Sequence, residues 1–241
     1  MTKQYNYTLL DTQAINSDIV ALRLRPQEPT QYLNYQAGQY VISKSNDNNI
    51  SFPLSIANAP NKSHELVFHL RHNQLQPQSQ FFLKQVDKDK SLTLEGPLGK
   101  MTAENIPDKA QVILLAGGTG IAPFKALLEN LLNHTDARLN NIDLFWGVRK
   151  PEDVYLEDWL KQIQTTYPGF SYHLILSDLN SASSWQGASG WVYEHALKTI
   201  QNIKKPTRVF ASGPYEMVAN SQKAFLAAGL DVKHFFSDML N

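Results

Sequence analysis

Cysteine is missing from all 241 residues of the chain. That absence removes disulfides, thiolate nucleophiles, cysteine-ligated zinc and iron–sulfur ligands from these residues together, so redox chemistry has to come from organic cofactors. An excess of one charge is missing as well: 22 Lys+Arg face 22 Asp+Glu, for a formal net charge of zero. No imbalance therefore points to nucleic acid or to an anionic membrane surface. No run approaches the roughly 18 consecutive apolar residues that span a bilayer, and the opening MTKQYNYTLL has no basic-then-apolar leader pattern. The expectation is a globular, cytoplasmic chain that binds neither nucleic acid nor membrane. The histidines, His69 and His195 among them, show no i, i+4 spacing with a carboxylate, so no metal site is assigned.

What is present is apolar content, 42% of residues, ample for one or two packed cores. The first hundred residues alternate short β-like runs with turn formers: Asp18–Pro26, Ala37–Ser43, Phe52–Ala57, Glu65–Arg71 and Ser91–Gly99, with one short helix at Ser79–Val86. That rhythm predicts a small antiparallel β-barrel or sandwich. Beyond ENIPDKAQ the pattern changes to strand–helix alternation. Strands are expected at Val112–Ala116, Ile142–Gly147, Tyr172–Ser177, Arg208–Ser212 and Val232–Phe236. Helices are expected up to Asn133, over Pro151–Thr165, and from Gly190 and Pro214. Such alternation builds right-handed βαβ units on a parallel sheet. The predicted architecture is two-domain, an N-terminal antiparallel β-barrel over 1–104 and a C-terminal α/β parallel-sheet domain over 105–241. The stretch Ser177–Gly190 is a loop by composition.

The most informative stretch is VILLAGGTGIAPFKALLENLL, Val112 to Leu132. A strand breaks into Gly117, Gly118, Thr119 and Gly120, and a helix follows with Pro123 in its first turn, where the missing N–H costs nothing. At such a corner free backbone N–H groups and the positive end of a helix dipole favour an anionic diphosphate, with Thr119 adding a hydroxyl. The P-loop signature needs Gly-Lys-Ser/Thr, which is missing, and the dinucleotide fingerprint wants glycine where Pro123 stands. Alone, the corner also reads as a tight turn in an ordinary α/β domain.

It is not alone. AGGTGIAPF, then FWGVRKPEDVYL and ASGPYEMV, behind a β domain carrying AGQY and FPLSIA, resembles the ferredoxin–NADP reductase superfamily in order and spacing over nearly the whole chain. Within it the chain looks most like the compact bacterial NAD(P)H:flavin oxidoreductases. The resemblance implies that the barrel holds the flavin (riboflavin, FMN or FAD), the second domain holds NADH or NADPH, and hydride crosses between them. The family's barrel motif, Arg-x-aromatic-Ser/Thr, stands here as Phe52-Pro53-Leu54-Ser55. By resemblance Ser55 hydrogen-bonds near the flavin N5; it could equally be a strand serine bonding its own backbone. The arginine that would neutralise a flavin phosphate is replaced by Phe52. A second phosphate site, Gly-x-x-Ser at a helix start, is reduced to Ser79 as the expected N-cap, and Arg71 is either a substitute phosphate partner or a solvated strand residue. A chain that grips the ring more than the tail favours flavin as a diffusing substrate.

On the nucleotide side the resemblance has Gly117–Gly120 cradling the diphosphate and Gly147 with Arg149 lining the ribose, although Arg149 could equally be surface charge. The family's Cys-Gly-Pro appears as Ser212-Gly213-Pro214, so that Ser212 positions the nicotinamide and Met217 packs behind it or belongs to the core. NADPH-specific relatives put Ser-Arg where this chain has Ser177-Asp178. A carboxylate repels a 2′-phosphate and accepts from a ribose diol, which favours NADH, unless Asp178 only begins the polar loop. Phe235 and Phe236 point to opposite faces of a strand, one of them toward the core and Phe236 toward the flavin. The catalytic pair implied is Ser55 and Ser212. Three functions fit: reduction of free flavin by NAD(P)H, a flavin-retaining reductase that passes electrons to a separate acceptor protein, and a non-catalytic flavin or nucleotide sensor.

Overall fold

The computed structural model describes residues 3–44, 51–73, 76–178, 185, 187–199 and 206–240. It begins with a strand that lies ahead of every expected one. β1 (Gln4–Ala14) sends Tyr5, Tyr7 and Leu9 inward between outward-facing Gln4 and Asn6, a period of two masked by its polar residues. With β2 (Ile19–Pro26), β3 (Tyr40–Lys44), β4 (Ser51–Ser55), β5 (Leu66–Arg71) and β6 (Ser91–Leu98) it forms an antiparallel sheet in the order β4-β3-β6-β1-β2-β5. A bridge between Ile56 and Phe68 joins the two ends of that order, curling the sheet into a barrel around Tyr7, Leu22, Val41, Phe68 and Leu94.

The α-helix of this half, α1 (Pro77–Asp89), alone of its kind among the described residues there, is longer than the expected Ser79–Val86. Pro77 occupies its first turn and Gln76 the N-cap position. Ser79 is therefore not the cap but a buried first-turn residue, on the side that carries Phe82 and Val86 into the barrel core.

The second sheet is parallel throughout, in the order β10-β9-β8-β7-β11-β12. Its elements are β7 (Gln111–Gly117), α2 (Ala122–Asn133), β8 (Ile142–Val148), α3 (Glu157–Thr166), β9 (Ser171–Leu176), β10 (Ala188–Ser189), α4 (Val192–Thr199), β11 (Thr207–Ser212), α5 (Tyr215–Ala227) and β12 (Phe235–Ser237). Three boundaries move from their expected places. The helix expected from Pro151 divides into a 3-10 turn, Pro151–Asp153, and α3. The last strand shortens because Val232–His234 is also a 3-10 turn, and the helix expected from Gly190 opens at Val192. Along β7, Val112 and Leu114 pack toward α2 and α3, while Ile113 and Leu115 pack toward α4 and α5. Burial on both faces is why this strand is apolar without alternation. Half of the expected loop Ser177–Gly190, residues 179–184 and 186, lies outside the described residues.

Candidate functional site

The chain leaves β7 toward β8 on one side and returns to β11 on the other, so strand order reverses between β7 and β11. Open α/β sheets bind ligands at the carboxyl ends of the strands beside such a reversal. Register places the expected nucleotide residues on that edge: Ser212 lies beside Ala116, Gly117 beside Gly147, and Val148 beside Leu176. Arg149 and the exposed Asp178 follow the ends of β8 and β9. The Ser177 amide and hydroxyl both donate to the Val148 carbonyl, at 2.8 and 3.0 Å, and fix where that end turns.

Two corners meet at the reversal. A Cβ on Gly120 would stand 2.2 Å from the Ser212 carbonyl oxygen, and one on Gly117 would stand 2.7 Å from Pro214 and 2.8 Å from the Met217 sulfur. These glycines thus let the Ser212-Gly213-Pro214 corner pack against the β7 corner, with the buried Met217 behind them. Gly118 has a different task. Its φ of +55° turns the chain, and Trp146 Nε1 donates to its carbonyl at 2.9 Å. Pro123 is buried in the first turn of α2. The corner therefore offers backbone N–H groups and a helix start of twelve residues, a donor set that fits a nucleotide diphosphate.

The barrel presents a different set. On β4, Phe52 and Leu54 face the core: Leu54 is 3% exposed, and Phe52 stacks on Phe82 with centroids 4.8 Å apart. Pro53 and Ser55 alternate to the outer face. The Ser55 hydroxyl has no protein partner among the described residues, and Ser55 lies opposite Tyr40. Next to Tyr40 stands a residue that sequence reasoning passed over. Asp238 approaches Gly99 from the end of β12, its Oδ2 is buried without a partner, and burial pushes its carboxyl up to about 7. Burial raises the Tyr40 phenol too, and the Asp238 charge adds to it. An orphaned carboxyl and an unbonded hydroxyl on one side of the barrel fit a heterocyclic ring with donors and acceptors. Phe236 packs edge-on against Phe210, and Phe235 is buried on the opposite face of the sheet.

Arg71 is neither free nor solvated. Its guanidinium meets Asp153 at 2.8 Å and Asp18 at 3.5 Å, with 14% of its side chain exposed, and it lies 3.9 Å from where a Gly118 side chain would begin. Asp18 is held below the usual carboxylate range, mainly by the Asn73 amide that donates to it at 3.2 Å. One strand position inward, His69 Nδ1 and the Tyr155 hydroxyl stand 3.0 Å apart. Burial, aided by the Lys125 charge, takes His69 down to about 4, so it is neutral at physiological pH. Burial also raises the Tyr155 phenol, which keeps its proton. Sequence reasoning missed Asp153, Tyr155 and Trp146, although all three fall within the quoted FWGVRKPEDVYL. Their partners lie tens of residues away, so no local spacing marks them.

Comparison with known proteins bears on both halves. The family pattern described as oxidoreductase FAD-binding domain matches residues 6–103, and the one described as oxidoreductase NAD-binding domain matches residues 114–223. The chain is similar to CDP-6-deoxy-L-threo-D-glycero-4-hexulose-3-dehydrase reductase of Yersinia pestis, 31% identical over 98% of this chain and 68% of that protein. It is 29% identical to terephthalate 1,2-dioxygenase, reductase component 1, of a Comamonas species, over 92% of this chain and 64% of that protein. The chain thus spans about two thirds of the length of these relatives. In fold it resembles a ferredoxin NADP+ reductase from Neisseria gonorrhoeae solved with bound FAD and NADP. There the TM-score is 0.76 at 21% identity, with 99% of each chain covered. It also resembles the cytochrome b5 reductase domain of Ulva prolifera nitrate reductase, with a TM-score of 0.74 at 16% identity over 98% of this chain and 97% of that one.

Proposed function

Because the chain belongs to the ferredoxin–NADP reductase superfamily and is an oxidoreductase with FAD-binding and NAD-binding domains, we propose that it reduces exchangeable flavin with NADH. The observation that carries this reading is the fate of the two side chains that sequence offers as flavin-phosphate partners or their replacements: Phe52 is stacked on Phe82, and Arg71 is held by Asp153 and Asp18. A charge-assisted phosphate contact is worth roughly 1.5–3 kcal/mol, and one such loss weakens affinity by one to two decades. Ring contacts then dominate, and the flavin can leave after reduction.

Bound together, the reduced nicotinamide supplies a hydride and the oxidised flavin takes it up with one proton from solvent. The chain's own part is to hold and orient. Gly118, Thr119 and the start of α2 hold the diphosphate, with Gly147 and Arg149 toward the ribose. Asp178 accepts from the ribose diol and disfavours a 2′-phosphate. Ser212, backed by Met217, positions one ring. Ser55 offers the other ring a hydroxyl that donates or accepts, and Asp238, its carboxyl raised to about 7 by burial, can hold or release a proton near neutral pH. The division that goes with these roles is 1–104 for flavin and 105–241 for the nucleotide. A cytoplasmic location suits them, and no helix among the described residues is long and apolar enough to cross a membrane.

The test is NADH oxidation by desalted protein, with and without added riboflavin. Dependence on added riboflavin is expected. A stoichiometric yellow protein that oxidises NADH only with a protein acceptor would favour a second reading, a flavin-retaining reductase component. The names of the similar proteins, a dehydrase reductase and a dioxygenase reductase component, support that alternative.

A further inference from the structure

α2 starts at the nucleotide corner and reaches back to the barrel. From its first turns Lys125 donates to the Ala57 carbonyl at 3.1 Å and pairs with Glu129 at 3.0 Å. The second oxygen of Glu129 accepts the Ala59 amide at 2.9 Å. Ala57 and Ala59 follow Ser55 by two and four positions. Both residues are buried, and buried backbone donors and acceptors need partners. Here the partners come from the other sheet's helix. Helix stability does not account for the pair, since Lys placed four residues before Glu is the less favourable order with respect to the helix dipole.

The gripped segment has little slack. The Ile56 amide donates to the Gln39 carbonyl at 3.1 Å and the Ala57 amide to the Val67 carbonyl at 2.8 Å. Asn58 accepts the Val67 amide at 2.7 Å, and the Tyr35 hydroxyl donates to the Asn58 carbonyl at 3.0 Å. Lys125 also lies 5.7 Å from the centre of the Trp159 ring on α3. The fields agree with this placement: Lys125 helps depress His69, and Glu129 adds to the burial that raises Tyr35. The clasped Ala57 lies two peptide units from Ser55.

We propose that Lys125 and Glu129 are positioning residues for hydride transfer, a clasp that sets the spacing between the Gly118 corner and the Ser55 hydroxyl. The inference rests on the reductase reading given above. Both residues act through the backbone they hold and need touch neither ring. If spacing is their task, their loss slows the transfer itself and leaves each binding site intact.

The experiment compares wild type with Glu129→Ala, Glu129→Gln, which keeps an oxygen for the Ala59 amide, and Lys125→Met, which keeps the apolar stem over Trp159. Stopped-flow flavin reduction by NADH, the primary deuterium isotope effect with 4-deuterated NADH, and KM values are measured on each. Hydrogen exchange at the Ala59 amide is followed in ligand-free protein. Glu129→Ala is expected to slow reduction about tenfold with KM for NADH within twofold, to raise the isotope effect, and to speed Ala59 exchange at least tenfold. Glu129→Gln should recover to within threefold of wild type, and Lys125→Met should be about fivefold slow. Unchanged Ala59 exchange in Glu129→Ala overturns the clasp. An unchanged reduction rate, or a loss that follows KM or melting temperature with no change in isotope effect, overturns the positioning role. If Glu129→Ala does not fold, Lys125→Met decides, a wild-type rate being the contrary result. A wild type that reduces no flavin would sink the reductase reading and this inference with it, whereas an active wild type matched by its variants sinks this inference alone.

Discussion

On the parallel sheet the motif glycines fit one corner closely against another, and the groups left for a ligand are backbone N–H groups on a rigid strand–helix turn. On the barrel the corresponding motif gives Phe52 and Leu54 to the core and leaves Ser55 as its polar side chain on the outer face. In the proposed function the diphosphate is thus met by backbone, with side chains only at the ribose and ring ends, whereas the flavin ring is met by side chains. Backbone geometry survives sequence change as long as the glycines stay, whereas each side-chain contact can be lost singly. That asymmetry goes with a tightly packed glycine corner beside a barrel motif whose cation position is taken by Phe52.

The sharpest way to break the comparison is to damage the backbone-built side alone. Gly120→Ala sets a methyl 2.2 Å from the Ser212 carbonyl oxygen, and neither backbone can yield easily. Overpacking of this kind costs about 3 kcal/mol or more, so melting should fall by roughly 6–12 °C and NADH affinity by about a hundredfold. Riboflavin binding to the same protein should hold within threefold; a parallel loss would show that the two sites are not separable.

Charge at the ribose end is the next lever. Asp178→Arg removes a repulsive group and adds a phosphate partner, and should move the NADPH/NADH preference by about tenfold or more toward NADPH. Steady-state kinetics with both nucleotides check it, and a wild type that already prefers NADPH would place Asp178 away from the ribose. On the barrel side, Ser55→Ala should slow turnover by about tenfold, the worth of one positioned hydrogen bond near reacting atoms, with a normal melting curve. Unchanged turnover would remove Ser55 from the site.

The smallest effect concerns Asp238. Its folded carboxyl, raised to about 7 by burial, holds a proton that the unfolded chain releases near 3.8. The native state thus binds more protons between those values, so stability falls as pH rises from about 4 to about 7 and levels off above. Asp238→Asn has no such titration and should gain steadily on wild type as the pH rises through that window. Parallel melting-temperature profiles for the two proteins would contradict the burial of this carboxyl.

Much of the fold was legible because its signals are local. The change from short alternating runs to strand–helix units after ENIPDKAQ rests on hydrophobic period, and the Gly117–Pro123 corner on residue types in one short stretch. β1 escaped because Tyr5 and Tyr7 carry its inward face among Gln, Asn and Thr. Ser79 was misplaced because Pro77 opens the helix two residues earlier. The site was legible in part. Ser55 and Ser212 sit on segments whose motifs can be recognised, whereas Asp238 gains its character only by folding back against Gly99, and Lys125 with Glu129 only by meeting Ala57 and Ala59 some seventy positions away. Arg71 could be read as a strand cation, but its two carboxylate partners come from β2's entry and from a turn of the other sheet.

In the proposed function the barrel holds the flavin ring and leaves its phosphate tail ungripped. Dissociation constants for riboflavin, FMN and FAD, measured by flavin fluorescence on desalted protein at one ionic strength, test it directly. The three are expected to agree within about threefold, since the shared ring supplies most of the affinity and no charge-assisted contact of roughly 1.5–3 kcal/mol separates them. FAD or FMN bound a hundredfold more tightly than riboflavin would contradict the claim, and would mean that Arg71 leaves Asp153 to hold the phosphate.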